Sequence, residues 1–112
     1  MHHELCFGCG QANLFGLQLE LTRDESGDVS GRFFVKQDHQ GPDGAAHPGV
    51  LAAALTEALS ARGPVSSFTM SLIAPAPVGT YVLVRSSGTN ATASGEDGDV
   101  LARASSSAAP PA

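Results

Sequence analysis

The residues best placed to do chemistry gather on one short segment, His47-Pro48-Gly49-Val50-Leu51-Ala52-Ala53-Ala54-Leu55-Thr56-Glu57-Ala58. It reads as a helix that opens with an imidazole and a glycine. A helix N-terminus carries N–H groups that lack intrahelical acceptors, and its dipole favours developing negative charge. Gly49 offers such a first-turn N–H, whereas Pro48 has none. His47 either hydrogen-bonds loop backbone or substrate, or simply caps the helix. Further along, Thr56 can position a water, and Glu57 can serve as a general base if it reaches a partly buried site. The plainer reading makes Thr56 an interface residue and Glu57 a solvated or loop-bonding carboxylate.

A second candidate is the pair Cys6 and Cys9. Their C-x-x-C spacing invites a zinc or redox reading, with His2 and His3 as further ligands. A structural zinc site takes four well-spaced ligands, however, and no second C-x-x-C exists. No βαβ pattern of the thioredoxin kind surrounds the pair either. Packing or interface cysteines are the expectation, with no metal and no cofactor.

Elements must position these groups. Residues 6–13 are rich in Gly and small polar residues and read as loop, part of an N-terminal loop segment over residues 1–16. Leu17, Leu19 and Leu21 alternate with polar residues, as in a half-buried strand over 17–22. Asp24 to Asp28 supplies turn chemistry, and residues 29–36 form a second strand of the same hairpin. A Gly/Pro/Asp loop over 37–46 leads to the helix. Pro48 suits a first helical turn, and it pushes His47 toward an extended, capping conformation. Val50, Leu51, Ala54, Leu55, Ala58 and Leu59 share one stripe, and Gly63-Pro64 stops the helix after about 14 residues. Strands are predicted over 65–73, 81–86 and 100–105, with a weaker one over 89–94. Residues 106–112 read as a disordered Ser/Ala/Pro tail. A hairpin, one helix and then a run of strands make an α+β fold in a single domain over residues 1–105.

Composition narrows the partners. The chain has 112 residues and a formal net charge of −5. Only Lys36 and five scattered arginines are basic, so no nucleic-acid surface is expected. The apolar run Val50 to Leu55 is far short of the ~20 residues of a membrane span, so no membrane is expected. No targeting segment is visible, and two cysteines in such a chain fit reduced thiols in a cytoplasm. A domain this short gains from a subunit interface.

Three segments, in order, resemble the PaaI-like bacterial branch of the hotdog-fold acyl-CoA thioesterases. They are Cys6-Phe7-Gly8-Cys9-Gly10 with Asn13 and Gly16-Leu17, then His39-Gln40-Gly41 ahead of the His47 helix, then Ala74-Pro75-Ala76-Pro77-Val78-Gly79-Thr80. The resemblance implies a hotdog fold, an antiparallel sheet wrapped around one central helix. It implies hydrolysis of an acyl-CoA or acyl-carrier-protein thioester at the interface of a homodimer, with pairing into homotetramers possible. In the family a backbone N–H at the helix start polarises the carbonyl, and a carboxylate nine residues after the His comes from the facing subunit. Here Pro48 replaces the first glycine of the family motif, and Thr56 stands at the carboxylate position. Gly49, Thr56 and Glu57 are therefore the catalytic candidates. His47, Pro48, His39 and Gln40 are the substrate-binding ones, and Gln40 donates to the carbonyl if it follows the family. Arg32, Arg62, Arg85 and Arg103 are alternative contacts for a coenzyme A phosphate.

A bacterial biosynthetic or catabolic role fits this reading. Two other functions stay open: a cyclase, dehydratase or isomerase acting on a polyketide-like intermediate, and a non-catalytic module that holds an acyl or aromatic ligand. Asp43-Gly44-Ala45-Ala46-His47 lacks the signature of the hydratase branch.

Overall fold

Val50, Leu51, Ala54, Leu55, Ala58 and Leu59 of helix α1 (Pro48–Ser60) are all buried, so the 3.6-residue period gives the helix one continuous apolar face. The structure, a computed structural model, describes residues 3–61 and 63–108. Strands β1 (Thr22–Arg23), β2 (Val29–Phe34), β3 (Val65–Leu72), β4 (Tyr81–Ser87), β5 (Asn90–Ser94) and β6 (Val100–Ala108) form one sheet in the order β1-β2-β4-β5-β6-β3. Every neighbouring pair is antiparallel.

Helix α1 packs on one face of this sheet. Val82, Val84 and Ser86 of β4 point toward it, as do Ala91 and Ala93 of β5 and Ala102 and Ala104 of β6. The facing helix positions Ala54 and Ala58 are also small and fully buried, which lets helix and sheet backbones approach closely. Ser86 is the polar member of this layer, and its hydroxyl donates to the Ala58 carbonyl at 2.8 Å. Between these positions Tyr81, Leu83 and Arg85 face outward and are exposed, the alternation of a half-buried strand.

Three expectations about elements change. Leu17 and Leu19 are buried, as their alternation required, but residues 17–21 join no ladder and β1 is only Thr22–Arg23. Gln18 adopts a left-handed φ of 51°, and the N–H groups of Leu17 and Leu19 donate to Phe7 and Gly8 of the N-terminal loop instead. The weaker strand is fully formed as β5, because its alanines fill the space beneath α1. Strand β6 continues to Ala108 rather than ending at Ser105, since Ser106, Ser107 and Ala108 pair with Phe68, Ser67 and Val65 of β3. Residues 109–112 of the expected tail lie outside the described residues.

Strand β3 ends the sheet, and nearly all of its residues are exposed on both faces. No helix among the described residues is long and apolar enough to cross a membrane.

Candidate active site

His47 is the N-cap of α1, with extended backbone at φ −61° and ψ 140°. Its Nδ1 accepts the Gly49 N–H at 2.8 Å, and its carbonyl accepts the Val50 N–H at 2.8 Å. Pro48 has no N–H to offer. The donor expected to be free at Gly49 is therefore engaged by the His47 ring. The same bond fixes the imidazole. A ring whose Nδ1 accepts carries its proton on Nε2, and that N–H belongs to an exposed side chain.

The preceding loop closes against this cap. The His47 N–H donates to the His39 carbonyl at 2.8 Å, Gln40 bridges Ala46, and the Gly41 N–H donates to the Ala45 carbonyl at 3.0 Å. Gly41 lies so near that a Cβ there would stand 2.6 Å from the His47 Cα. The segment His39-Gln40-Gly41 thus meets the cap through its backbone. Gln40 is exposed, and its Oε1 accepts the Gly44 N–H at 3.1 Å, which leaves the carboxamide NH₂ as its donor.

His39 corrects the expectation of a substrate contact. It is only 1% exposed, its ring edge-on to Phe7 and Phe33. Nδ1 accepts the Lys36 N–H at 3.1 Å, and Nε2 sits 3.2 Å and 3.3 Å from the carbonyls of Phe15 and Gly16. Both ring nitrogens are used in holding the N-terminal segment to the loop.

Thr56 and Glu57 stand about 10 and 12 Å along the helix axis from Gly49 of the same chain, and about 100° apart around it. The half-buried Thr56 hydroxyl donates to the Ala52 carbonyl at 2.7 Å, which leaves its oxygen as an acceptor. Glu57 is half-buried against the N-terminal loop, where its Oε1 accepts the Cys6 thiol at 3.4 Å. A Cβ on Gly8 would lie 2.3 Å from its Cγ. The structure brings Glu57 together with Cys6 and Cys9, a meeting that sequence reasoning missed. The available signal was the glycine on each side of Cys9.

Beside the His47 cap, Pro48 and Leu51 of α1 face Leu72, Ile73, Ala74 and Pro75 across an apolar groove of about 260 Å³. A larger groove of about 520 Å³ runs past the other flank of the helix, between Glu57, Ala61, Cys9 and the 19–22 segment. Arg32 stacks on Tyr81 with its guanidinium 4.4 Å from the ring centre. Arg85 and Arg103 flank Thr92, so all three arginines lie on the sheet face opposite α1. Arg62 lies outside the described residues.

No family model matches the chain, and no curated protein does. Solved structures do. A thioesterase superfamily protein aligns with TM-score 0.72 at 20% identity over 85% of this chain, which spans about half (54%) of that longer one. The Escherichia coli PaaI protein of the phenylacetic acid degradation operon aligns with TM-score 0.71 at 12% identity, over 88% of this chain and 84% of its own. A variant of the PaaI protein of Thermus thermophilus gives TM-score 0.66 at 22% identity, over 79% and 89%. Sheet order, central helix and these likenesses together show that the chain adopts the hotdog fold.

Proposed function

We propose that the chain binds an acyl thioester at the His47 end of α1 and hydrolyses it slowly. The observation that carries this reading is the capped helix N-terminus, with an exposed imidazole Nε2–H, opening beside the apolar groove of Pro48, Leu51, Leu72 and Ile73. The acyl group lies in the groove and the carbonyl oxygen accepts from His47 Nε2–H, with the positive end of the helix dipole behind it. Water adds to the carbonyl carbon, the C–S bond breaks, and the products are a carboxylic acid and a free thiol. A groove of about 260 Å³ favours a short or single-ring acyl group over a long chain.

A second copy of the chain completes the site in this reading. Strand β3 is an eight-residue sheet edge with Phe68, Leu72 and Ile73 exposed, and Leu72 and Ile73 also wall the groove. Long apolar edges of this kind invite pairing with another strand. Antiparallel pairing of two β3 edges would bring the facing Thr56 toward the groove, where its oxygen can accept from and orient the attacking water. A threonine cannot take the proton as a carboxylate would, so hydrolysis rests on polarisation and positioning.

The engagement of both first-turn N–H groups, and of Glu57 by the N-terminal loop, favours a second reading, a binder that holds the thioester intact. Release of free thiol from short, long and aromatic acyl-CoA and carrier-protein thioesters, corrected for Cys6 and Cys9, separates the two. Turnover above the uncatalysed rate supports the hydrolase. Saturable binding without release by a folded dimer supports the binder, and neither binding nor release refutes both.

A further inference from the structure

Cys6 Sγ, Cys9 Sγ and a Glu57 carboxylate oxygen all lie within 4.8 Å of one another. Two of these residues come from the N-terminal loop and one from the last turn of α1, 51 residues from Cys6. Tetrahedral zinc, with Zn–S near 2.3 Å and Zn–O near 2.0–2.2 Å, separates its sulfur ligands by about 3.8 Å and sulfur from oxygen by about 3.5 Å. The Cys6 Sγ to Glu57 Oε1 distance is 3.4 Å. The Cys6–Glu57 pair is thus at the spacing of two corners of a zinc tetrahedron, and Cys9 Sγ lies within 4.8 Å of both.

The loop that carries the thiols is folded in advance. The Gly10 N–H donates to the Cys6 carbonyl at 2.9 Å, and the Leu17 and Leu19 N–H groups donate to Phe7 and Gly8. A Cβ at Gly10 would lie 2.4 Å from the Cys6 nitrogen, and one at Gly8 would strike Glu57. Glycine at both positions lets the loop wrap tightly around the carboxylate. Cys9 is buried, while Cys6 and Glu57 are half-buried. Cys9 and Glu57 also wall the larger groove, so solvent can reach a fourth coordination position.

We propose that Cys6, Cys9 and Glu57 form a binding site for a thiophilic divalent cation, zinc in particular, with a water from the groove as fourth ligand. The expectation of plain packing cysteines rested on the lack of a second C-x-x-C; the third ligand comes instead from a distant helix. Binding exchanges two thiol protons for the cation: two Cys–SH, one carboxylate and Zn²⁺ become a dithiolate–carboxylate zinc centre and two H⁺. The centre would staple the N-terminal segment to α1, away from the His47 cap and independent of the thioester reading.

The test uses the 112-residue chain, reduced and stripped of metal, titrated with Co²⁺ and then with Zn²⁺ against a chromophoric chelator. One Co²⁺ per chain is expected, with a near-ultraviolet sulfur-to-metal charge-transfer band and the visible absorption of a tetrahedral site. Zn²⁺ should displace it, release two protons and raise the melting temperature. Cys6→Ser and Cys9→Ser should each abolish or halve the charge-transfer band. Glu57→Gln, nearly isosteric, should keep both thiols yet weaken Zn²⁺ binding at least about tenfold. Circular dichroism checks that each variant is folded. A missing charge-transfer band in the parent chain overturns the proposal. So does Zn²⁺ affinity unchanged by Glu57→Gln, or binding that survives loss of both cysteines and falls with His3→Gln.

Discussion

Replacing His47 by serine separates two jobs that the native ring performs together. Nδ1 satisfies the Gly49 N–H at 2.8 Å, and Nε2–H belongs to an exposed side chain whose neighbours Ala46 and Pro48 line the groove. Serine is among the best N-caps, so its Oγ can take over the first job. Its single hydroxyl lies close to the backbone and cannot reach the place of Nε2. Alanine performs neither. His47→Ala should lose about 1 kcal/mol of stability, within a range of ~0.5–2, which lowers the melting temperature by about 4–8 °C per kcal/mol in a domain of this size. His47→Ser should recover most of that loss. Both variants should nevertheless lose about 10²–10³ in turnover, or ~2.7–4 kcal/mol of barrier, if the imidazole is the oxyanion donor. Calorimetry gives the stabilities, and thiol release from the best thioester of the panel gives kcat/KM. Equal rates for the parent chain and His47→Ser would refute the role of Nε2–H and leave His47 as a cap.

Other outcomes follow from the same geometry. Gly41→Ala forces a Cβ to within 2.6 Å of the His47 backbone, so it should cost about 1–3 kcal/mol in thermal unfolding and reduce thiol release with it. His39→Leu leaves the half-buried Lys36 N–H and the Phe15 carbonyl without their partner, while the Gly16 carbonyl keeps the Lys36 ammonium, so stability should fall by about 1–3 kcal/mol for each of the two groups left unpaired. Its kcat/KM below the melting temperature should stay within a few-fold of the parent value, and a loss of the size expected for His47→Ser would reinstate His39 as a substrate contact. In the β1–β2 turn, the Ser26 hydroxyl above all, together with the N–H groups of Asp28, Ser26 and Gly27, holds the Asp24 carboxyl below its ordinary range against the opposing effect of desolvation. A lowered folded pKa stabilises the fold above the unfolded value, near 3.9, and is lost as pH falls through the folded one. The melting-temperature gap between the parent chain and Asp24→Asn should therefore be full near neutrality and close as pH drops below about 4.

The parts of this molecule legible from sequence are those governed by short-range periods. Six apolar positions at helical spacing fixed the buried face of α1, and His-Pro marked its start to the residue. Where the backbone departs from a period without a glycine or proline to announce it, as at Gln18 with its φ of 51°, alternation mistook a loop for a strand. β5 was faint because alanine has little strand propensity, yet alanine is what the close approach of the helix demands there. At the site, the cap residue was visible but the use of the Gly49 N–H was not, since it depends on which way an imidazole turns. The meeting of Glu57 with Cys6 spans 51 positions, and only the glycines flanking Cys9 hint at it.

Lys36 is the chain's single lysine, and its ammonium donates to the Leu14 and Gly16 carbonyls at 2.9 Å and 3.1 Å and to Gln18 Oε1 at 3.1 Å. All three of its protons are spent latching the segment that precedes β1. Amine-directed labelling of this chain therefore has one side-chain target, and reaching it means undoing that latch. Acylation of Lys36 by a reactive thioester would neutralise the charge and replace three donors with one amide N–H. A reagent meant as a passive tag would then loosen the N-terminal segment, so fluorophores and crosslinkers are better placed through an engineered cysteine on the outer face of β4.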